Sequence, residues 1–287
     1  MRLIGLHLDH VPFDGLGPIV AAEAAIGAVD IVHWFQAWGG GHAPFHAHWL
    51  DTVAGGGRRG LITWEPWAPG GPAHQLRYGP QTIVDGVHDD YIRSWAEGLA
   101  RRDDGPWYLR PMHEMNGTWY PWAAGVKGND PALVRAAWRH LHHVFTDAGA
   151  TGVAWVWSPL ADDVAGPFEN CYPGSDVVDV LALDGYNWGS GVPTYGGWRS
   201  PSELFGSALT RLCRLGPQPL WLAEVGSAPA GGDKAAWVDA LLTVEGLPAE
   251  AGERLEAVVF FGLDKEQDWR VHTDPAVAAA VRRRGRR

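Results

Sequence analysis

The chain has 287 residues, with 23 basic against 33 acidic side chains and a formal net charge of -10, which argues against a nucleic-acid partner; its one basic run, Arg282 to Arg287, is a short tail rather than a face. The length suits one α/β barrel as well as two smaller domains. No stretch approaches the roughly 20 apolar residues of a membrane helix, and the opening MRLIGLHLDH is too short an apolar run for a secretion signal, so neither a membrane partner nor a cleaved leader is expected.

Eight apolar, β-branched or aromatic runs predict strands at Leu3 to Leu8, Ile31 to Phe35, Gly60 to Trp64, Trp107 to Pro111, Gly152 to Trp157, Val177 to Leu183, Pro219 to Ala223 and Ala257 to Gly262. Helical spacing lies between most of them. Ile83, Val87, Tyr91, Trp95 and Leu99 keep an i, i+4 rhythm and predict one helix over Thr82 to Arg102. Pro131 opens the next, ahead of Leu133, Val134, Ala137, Trp138 and Leu141, where a missing N–H costs nothing. After the fifth strand a helix is short or absent. Alternating strands and helices make a parallel sheet. Eight strands without a Gly-rich first turn favour a closed (β/α)8 barrel over an open doubly wound sheet. With no linker or repeat in view, residues 1–287 read as one catalytic barrel domain, and the chain as a monomer.

Seventeen tryptophans exceed the needs of a core and suggest flat, amphipathic ligands such as sugars. Nine of them, Trp34, Trp38, Trp64, Trp67, Trp119, Trp122, Trp157, Trp188 and Trp269, fall near predicted strand ends, where a barrel enzyme keeps its chemistry. Plain packing is expected to account for the lesser part of them. The fourth strand ends in RPMHEMNGTWYPW with Glu114 at its C-terminal tip, and the seventh in WLAEVGS with Glu224 at its tip. Two carboxyl groups facing across a barrel mouth are what glycosidic cleavage needs: one to protonate the leaving oxygen, one to stabilise or attack the anomeric carbon.

RPMHEMNGTWYPW, together with ITWEPW at Ile62 to Trp67, ALDGYNWG at Ala182 to Gly189, LAEVGS and FFGLDKEQDWR at Phe260 to Arg270, resembles glycoside hydrolase family 26. The resemblance covers strands two to eight in order. It implies a retaining glycosidase barrel with Glu114 as acid/base and Glu224 as nucleophile. His113, where relatives of that clan mostly carry Asn, would orient or tune the acid. Tyr186 would hydrogen-bond the nucleophile and favour its ionised form. Trp119 and Trp269 match subsite tryptophans, and Trp64, Trp157, Arg110, Asn116 and Arg270 are candidate wall residues. The implied activity is endo-acting hydrolysis of a β-linked polysaccharide or oligosaccharide, mannan first, then mixed-linkage β-1,3-1,4-glucan or β-1,3-xylan. Family members are commonly secreted and often modular, whereas this chain shows neither signal nor module. A non-catalytic sugar-binding barrel is the reading from another class, opposed by the intact Glu114, Glu224 and Tyr186.

No cofactor or metal is expected. His113 and Glu114 begin an HExxH pattern whose second histidine is replaced by Gly117. His46, His48, His140, His142 and His143 lack carboxylate spacing and read as solvated or core residues. GGGRRG at Gly55 to Gly60 precedes a strand instead of following one, so it is no dinucleotide loop. Asp184 and Asp264 read equally as substrate ligands or as turn and cap residues, and Cys171 and Cys213 as buried thiols rather than a bridge.

Overall fold

The computed structural model describes residues 2–40, 44–126 and 128–283, so Arg284 to Arg287 of the basic run lie outside the described residues. Each apolar run forms a strand: β1 (Leu3–His7), β2 (Ile31–Ala37), β3 (Arg59–Glu65), β4 (Trp107–Pro111), β5 (Val153–Trp157), β6 (Val180–Asn187), β7 (Leu220–Ser227) and β8 (Leu255–Phe261). They pair in parallel and in chain order, and β8 returns to β1 to close the barrel. This is the (β/α)8 barrel that the alternation of elements predicts.

Helices α1 (Gly17–Ile26), α2 (Ala47–Gly55), α3 (Pro80–Val84), α4 (Asp89–Ala100), α5 (Pro131–Asp147), α6 (Pro201–Cys213), α7 (Lys234–Thr243), α8 (Ala249–Arg254) and α9 (Pro275–Arg283) accompany the strands. Pro131 sits in the first turn of α5, and Asp130 caps it by accepting from the Leu133 N–H at 2.8 Å. After β5 there is only the short turn Phe168–Cys171.

The helix expected over Thr82 to Arg102 is two helices. Gly86 closes α3 in the left-handed region at φ 73°, a conformation open to glycine, and the chain restarts at Asp89. Val87, counted in the apolar stripe, is therefore 65% exposed in the break.

Alternation along the strands splits the core in two. Ile31, Leu61, Tyr108, Val156, Ala182, Trp221 and Ala257 fill the barrel interior. Their strand neighbours Ile62, Trp64, Leu109, Trp155, Trp157, Leu183 and Leu222 point outward beneath the helices. Strand β7 breaks this rhythm once. Leu183 pairs with Leu222 but Asp184 with Glu224, and Leu222 and Val225 match Val258 and Phe260 across the other side, so β7 holds one extra residue. Ala223 and Glu224 consequently both face inward while Leu222 and Val225 face out.

Candidate active site

Above the apolar interior lies a polar layer built on Arg110 of β4. Its guanidinium is fully buried and spends every arm: Nε donates to Thr63 Oγ1 at 2.8 Å, one terminal nitrogen to Asp184 at 2.6 Å, the other to Glu224 Oε2 at 2.7 Å. Burial works against its charge, but Asp184 and Glu224 outweigh that and hold it firmly protonated. Arg110 also lies 3.2 Å from His33 Nε2 and can only donate, so that nitrogen accepts, and the Thr63 hydroxyl, 2.7 Å from it, donates there. Burial, then the charge of Arg110, keeps His33 neutral. Ser158 adds a donor to Asp184 at 2.7 Å. Removing one member of such a buried charge network is costly because the others are left unpaired.

Glu224 stands on this platform. Oε1 accepts from the Tyr186 hydroxyl at 2.5 Å and Oε2 from Arg110, so both oxygens are held. Burial, then the charge of Glu224, raises the Tyr186 phenol well above its ordinary range and keeps it a donor. The extra residue in β7 is what turns Glu224 inward. Gly226 completes the fit: a β-carbon there would come within 2.8 Å of the Trp269 ring and 2.9 Å of the Tyr186 ring.

Glu114 is held differently. It lies three residues past β4, with Met112 and Glu114 at φ 47° and 52°, in the left-handed region that costs a non-glycine residue about 1–3 kcal/mol. Its N–H donates to the Ser158 carbonyl at 2.8 Å, which pins this turn to the end of β5. Among the described residues the one side-chain donor to its carboxyl group is Trp119 Nε1, 2.8 Å from Oε2. Burial first, and the charge of Glu224 second, push its pKa up to about 8. Glu114 and Glu224, 7% and 6% exposed, line one cavity of about 610 Å3.

That cavity is walled by Trp67, Trp119, Trp188, Trp269, Tyr120 and Phe261 among others, and floored by Asp184 and Tyr186. Trp269 packs between Tyr186 and Trp188, ring centres 4.8 and 5.1 Å away. Lys234, at the start of α7, donates to the carbonyls of Asp268 and Arg270 at 2.6 and 2.9 Å, fixing the loop on both sides of Trp269.

Several expected wall residues are elsewhere. Trp64 and Trp157 are wholly buried outside the barrel, Trp64 against Tyr91, Trp95 and Phe145, Trp157 against Phe168 and Tyr172. Asn116 lines no part of the cavity; its amide is bonded to Leu160 and to the Asp162 carbonyl and ties two loops together. Arg270 is spent on Asp268 and Asp264 outside the cavity. Arg110 lies under the cavity floor as the support of Glu224, not in its wall. Of the nine rim tryptophans only Trp67, Trp119, Trp188 and Trp269 reach the cavity, so packing takes the greater part of them.

His113 is buried, neutral through burial and the charge of Arg110, and packed on Tyr120 and Trp122. A ring nitrogen of it lies within 4.8 Å of carboxylate oxygens of Asp184 and Glu224. These three could ligate a cation, but both carboxylates already answer Arg110, whose charge fills that role. The bond to the Glu114 carboxyl group comes from Trp119, not from His113. Asp184, left open between ligand and turn, is a buried partner of Arg110, and Asp264 pairs with Arg270. His140 binds Asp89 at 2.6 Å, and Cys171 and Cys213 are free thiols, the first buried and the second half-buried. Unforeseen in the sequence was Glu65 at the end of β3, a further carboxyl group in the cavity wall beside Glu114 and Glu224. Strand parity shared with Leu61 and Thr63 would have found it.

Comparison with known proteins adds a second line to this geometry. The profile of glycosyl hydrolase family 26 matches residues 84–222, the span from α3 into β7. Endoglucanase H of Acetivibrio thermocellus is 34% identical over 259 residues, 88% of this chain. The chain belongs to glycosyl hydrolase family 26. Other relatives match over shorter stretches: the mannan endo-1,4-beta-mannosidase of Bacillus subtilis is 35% identical over 99 residues, 32% of this chain and 26% of that protein. The chain spans only 27% of the length of Endoglucanase H. Among solved structures, a modular endo-beta-1,4-mannanase from Cellulomonas fimi shares the fold with a TM-score of 0.70 at 18% identity, over 100% of this chain and 70% of that one. No helix among the described residues is long and apolar enough to cross a membrane.

Proposed function

We propose that residues 1–287 form one catalytic domain, a retaining endo-β-glycanase that works by double displacement. Glu224 attacks the anomeric carbon to form a glycosyl-enzyme, and Glu114 protonates the leaving oxygen, then deprotonates the incoming water. One observation carries this reading: two carboxyl groups share a cavity in opposite settings, Glu224 gripped by Arg110 and Tyr186, Glu114 desolvated, bonded by the Trp119 indole and raised in pKa. An acid that keeps its proton at neutral pH beside an oriented, charge-compensated carboxylate is the division of labour that glycosidic cleavage requires. Tyr186 and Arg110 act as positioning residues for Glu224. Trp119 steadies Glu114, and with Trp188 and Trp269 it offers ring faces on which a pyranose can stack.

For the polymer, β-1,4-mannan is the first reading, supported by curated mannanases between 32% and 38% identical over about a third of the chain. β-Glucan stands beside it, because the alignment with Endoglucanase H runs along 88% of the chain. Incubation with mannan, mixed-linkage β-glucan and β-1,3-xylan, with product sizing and proton NMR of the first anomer released, tests class, polymer and mechanism together. Short oligosaccharides of β configuration are expected from mannan or glucan. An α anomer formed first would defeat the double displacement, and binding without product would favour a non-catalytic barrel.

A further inference from the structure

We propose that Glu65 is a sugar-binding, specificity-determining residue whose carboxyl group takes a hydroxyl of the saccharide lying across Glu114 and Glu224. The inference rests on the glycanase reading. Glu65 ends β3 on the same face as Leu61 and Thr63, so the strand aims it into the cavity, where it is 5% exposed. Trp67 Nε1 donates to Oε2 at 3.2 Å, and Oε1 has no hydrogen-bond partner among the described residues. That oxygen is not sealed inside the protein but opens on the cavity, where a hydroxyl of a bound saccharide can reach it.

The surrounding charges explain which form it takes. Glu114 after β4, Glu224 on β7 and Tyr120 face it from the acidic side, and Arg110 and Lys265 from the basic side. Arg110 is already committed to Asp184 and Glu224, and Lys265 pairs with Glu266 at 2.9 Å. Among the described residues Glu65 thus has no cation of its own. Burial first, then Glu224, raises its pKa to about 8, against the bond from Trp67. A protonated carboxyl group both donates and accepts, as a sugar hydroxyl does, so the two can exchange hydrogen bonds without a buried charge. The ionised form accepts only, and would meet the ring oxygens of a sugar with repulsion.

Calorimetry with mannohexaose or a mixed-linkage glucan hexasaccharide, whichever polymer is cut, tests this in a Glu114→Gln background that removes the titration of Glu114. Affinity should fall at least about 5-fold between pH 6 and 9.5 as Glu65 ionises, and stay within about 2-fold in Glu114→Gln/Glu65→Gln, whose amide keeps donor and acceptor. Glu65→Leu at pH 6 should lose about 10-fold or more in affinity, with KM rising more than kcat falls. The same pH dependence with and without Glu65→Gln would overturn the proposal even where the leucine variant does not fold. If the parent enzyme neither cuts a β-glycan nor binds a hexasaccharide, the glycanase reading fails and takes this one with it. If it cuts and the Glu65 variants match it, this inference alone fails.

Discussion

Two sets of tryptophans on one barrel do different work. Trp67, Trp119, Trp188 and Trp269 stand in the cavity wall; Trp64, Trp95, Trp155 and Trp157 fill the seam between strands and helices. Trp64 and Glu65 are neighbours in sequence, yet one packs on Phe145 and the other borders the cavity. The pleat of β3 separates them. Nearness to a strand end is therefore a weaker guide to chemistry than which face of the strand a side chain occupies.

The comparison breaks most sharply at the carboxyl groups. Glu224→Gln should lower kcat on the polymer by about 10^4-fold or more, with circular dichroism unchanged. Activity within 10-fold of the parent would remove Glu224 from the role of nucleophile. On the outer side, Trp64→Ala should cost about 3–5 kcal/mol of stability in denaturant titration while leaving kcat and KM of the folded enzyme near the parent values. A changed KM at full stability would place Trp64 among the sugar contacts after all. Trp119→Phe gives the smallest and most diagnostic effect, because it keeps a ring face and deletes one donor. The indole N–H favours the ionised form of Glu114, so its loss raises the pKa further above about 8. Because Glu114 must carry its proton to act as acid, the alkaline limb of the kcat/KM profile should move to higher pH, with kcat reduced about 10-fold. A limb that stays in place would show that another group titrates there.

Much of this was legible beforehand. The eight apolar runs are the eight strands, and the motifs around Glu114, Tyr186, Glu224 and Trp269 converge on one cavity. What the sequence obscured was orientation. Trp64, Trp157 and Asn116 sit beside the right motifs but face away or are tied into loops, and periodicity of two would have excluded both tryptophans. Glu65 was hidden in ITWEPW because a carboxyl group with no evident role in the pattern looks ordinary until its burial beside the cavity is visible. The extra residue in β7 had no sequence signal, since Ala223 and Glu224 read as simple alternation, and Gly86 was passed over inside an otherwise regular helical stripe.

The extra residue in β7 bears on how such a barrel can change its diet. The ladder to β6 pairs Glu224 with Asp184, and the pairs Leu222–Val258 and Val225–Phe260 on β8 bracket it, while the rings that would greet a sugar hang from loops beyond the strands. The reactive carboxyl group is thus addressed by the backbone, and its surroundings by interchangeable insertions. Lineages, or engineers, could exchange the loops bearing Trp119 and Trp188 for others suited to a different glycan without readdressing Glu224, whose inward aim is set by strand β7 itself.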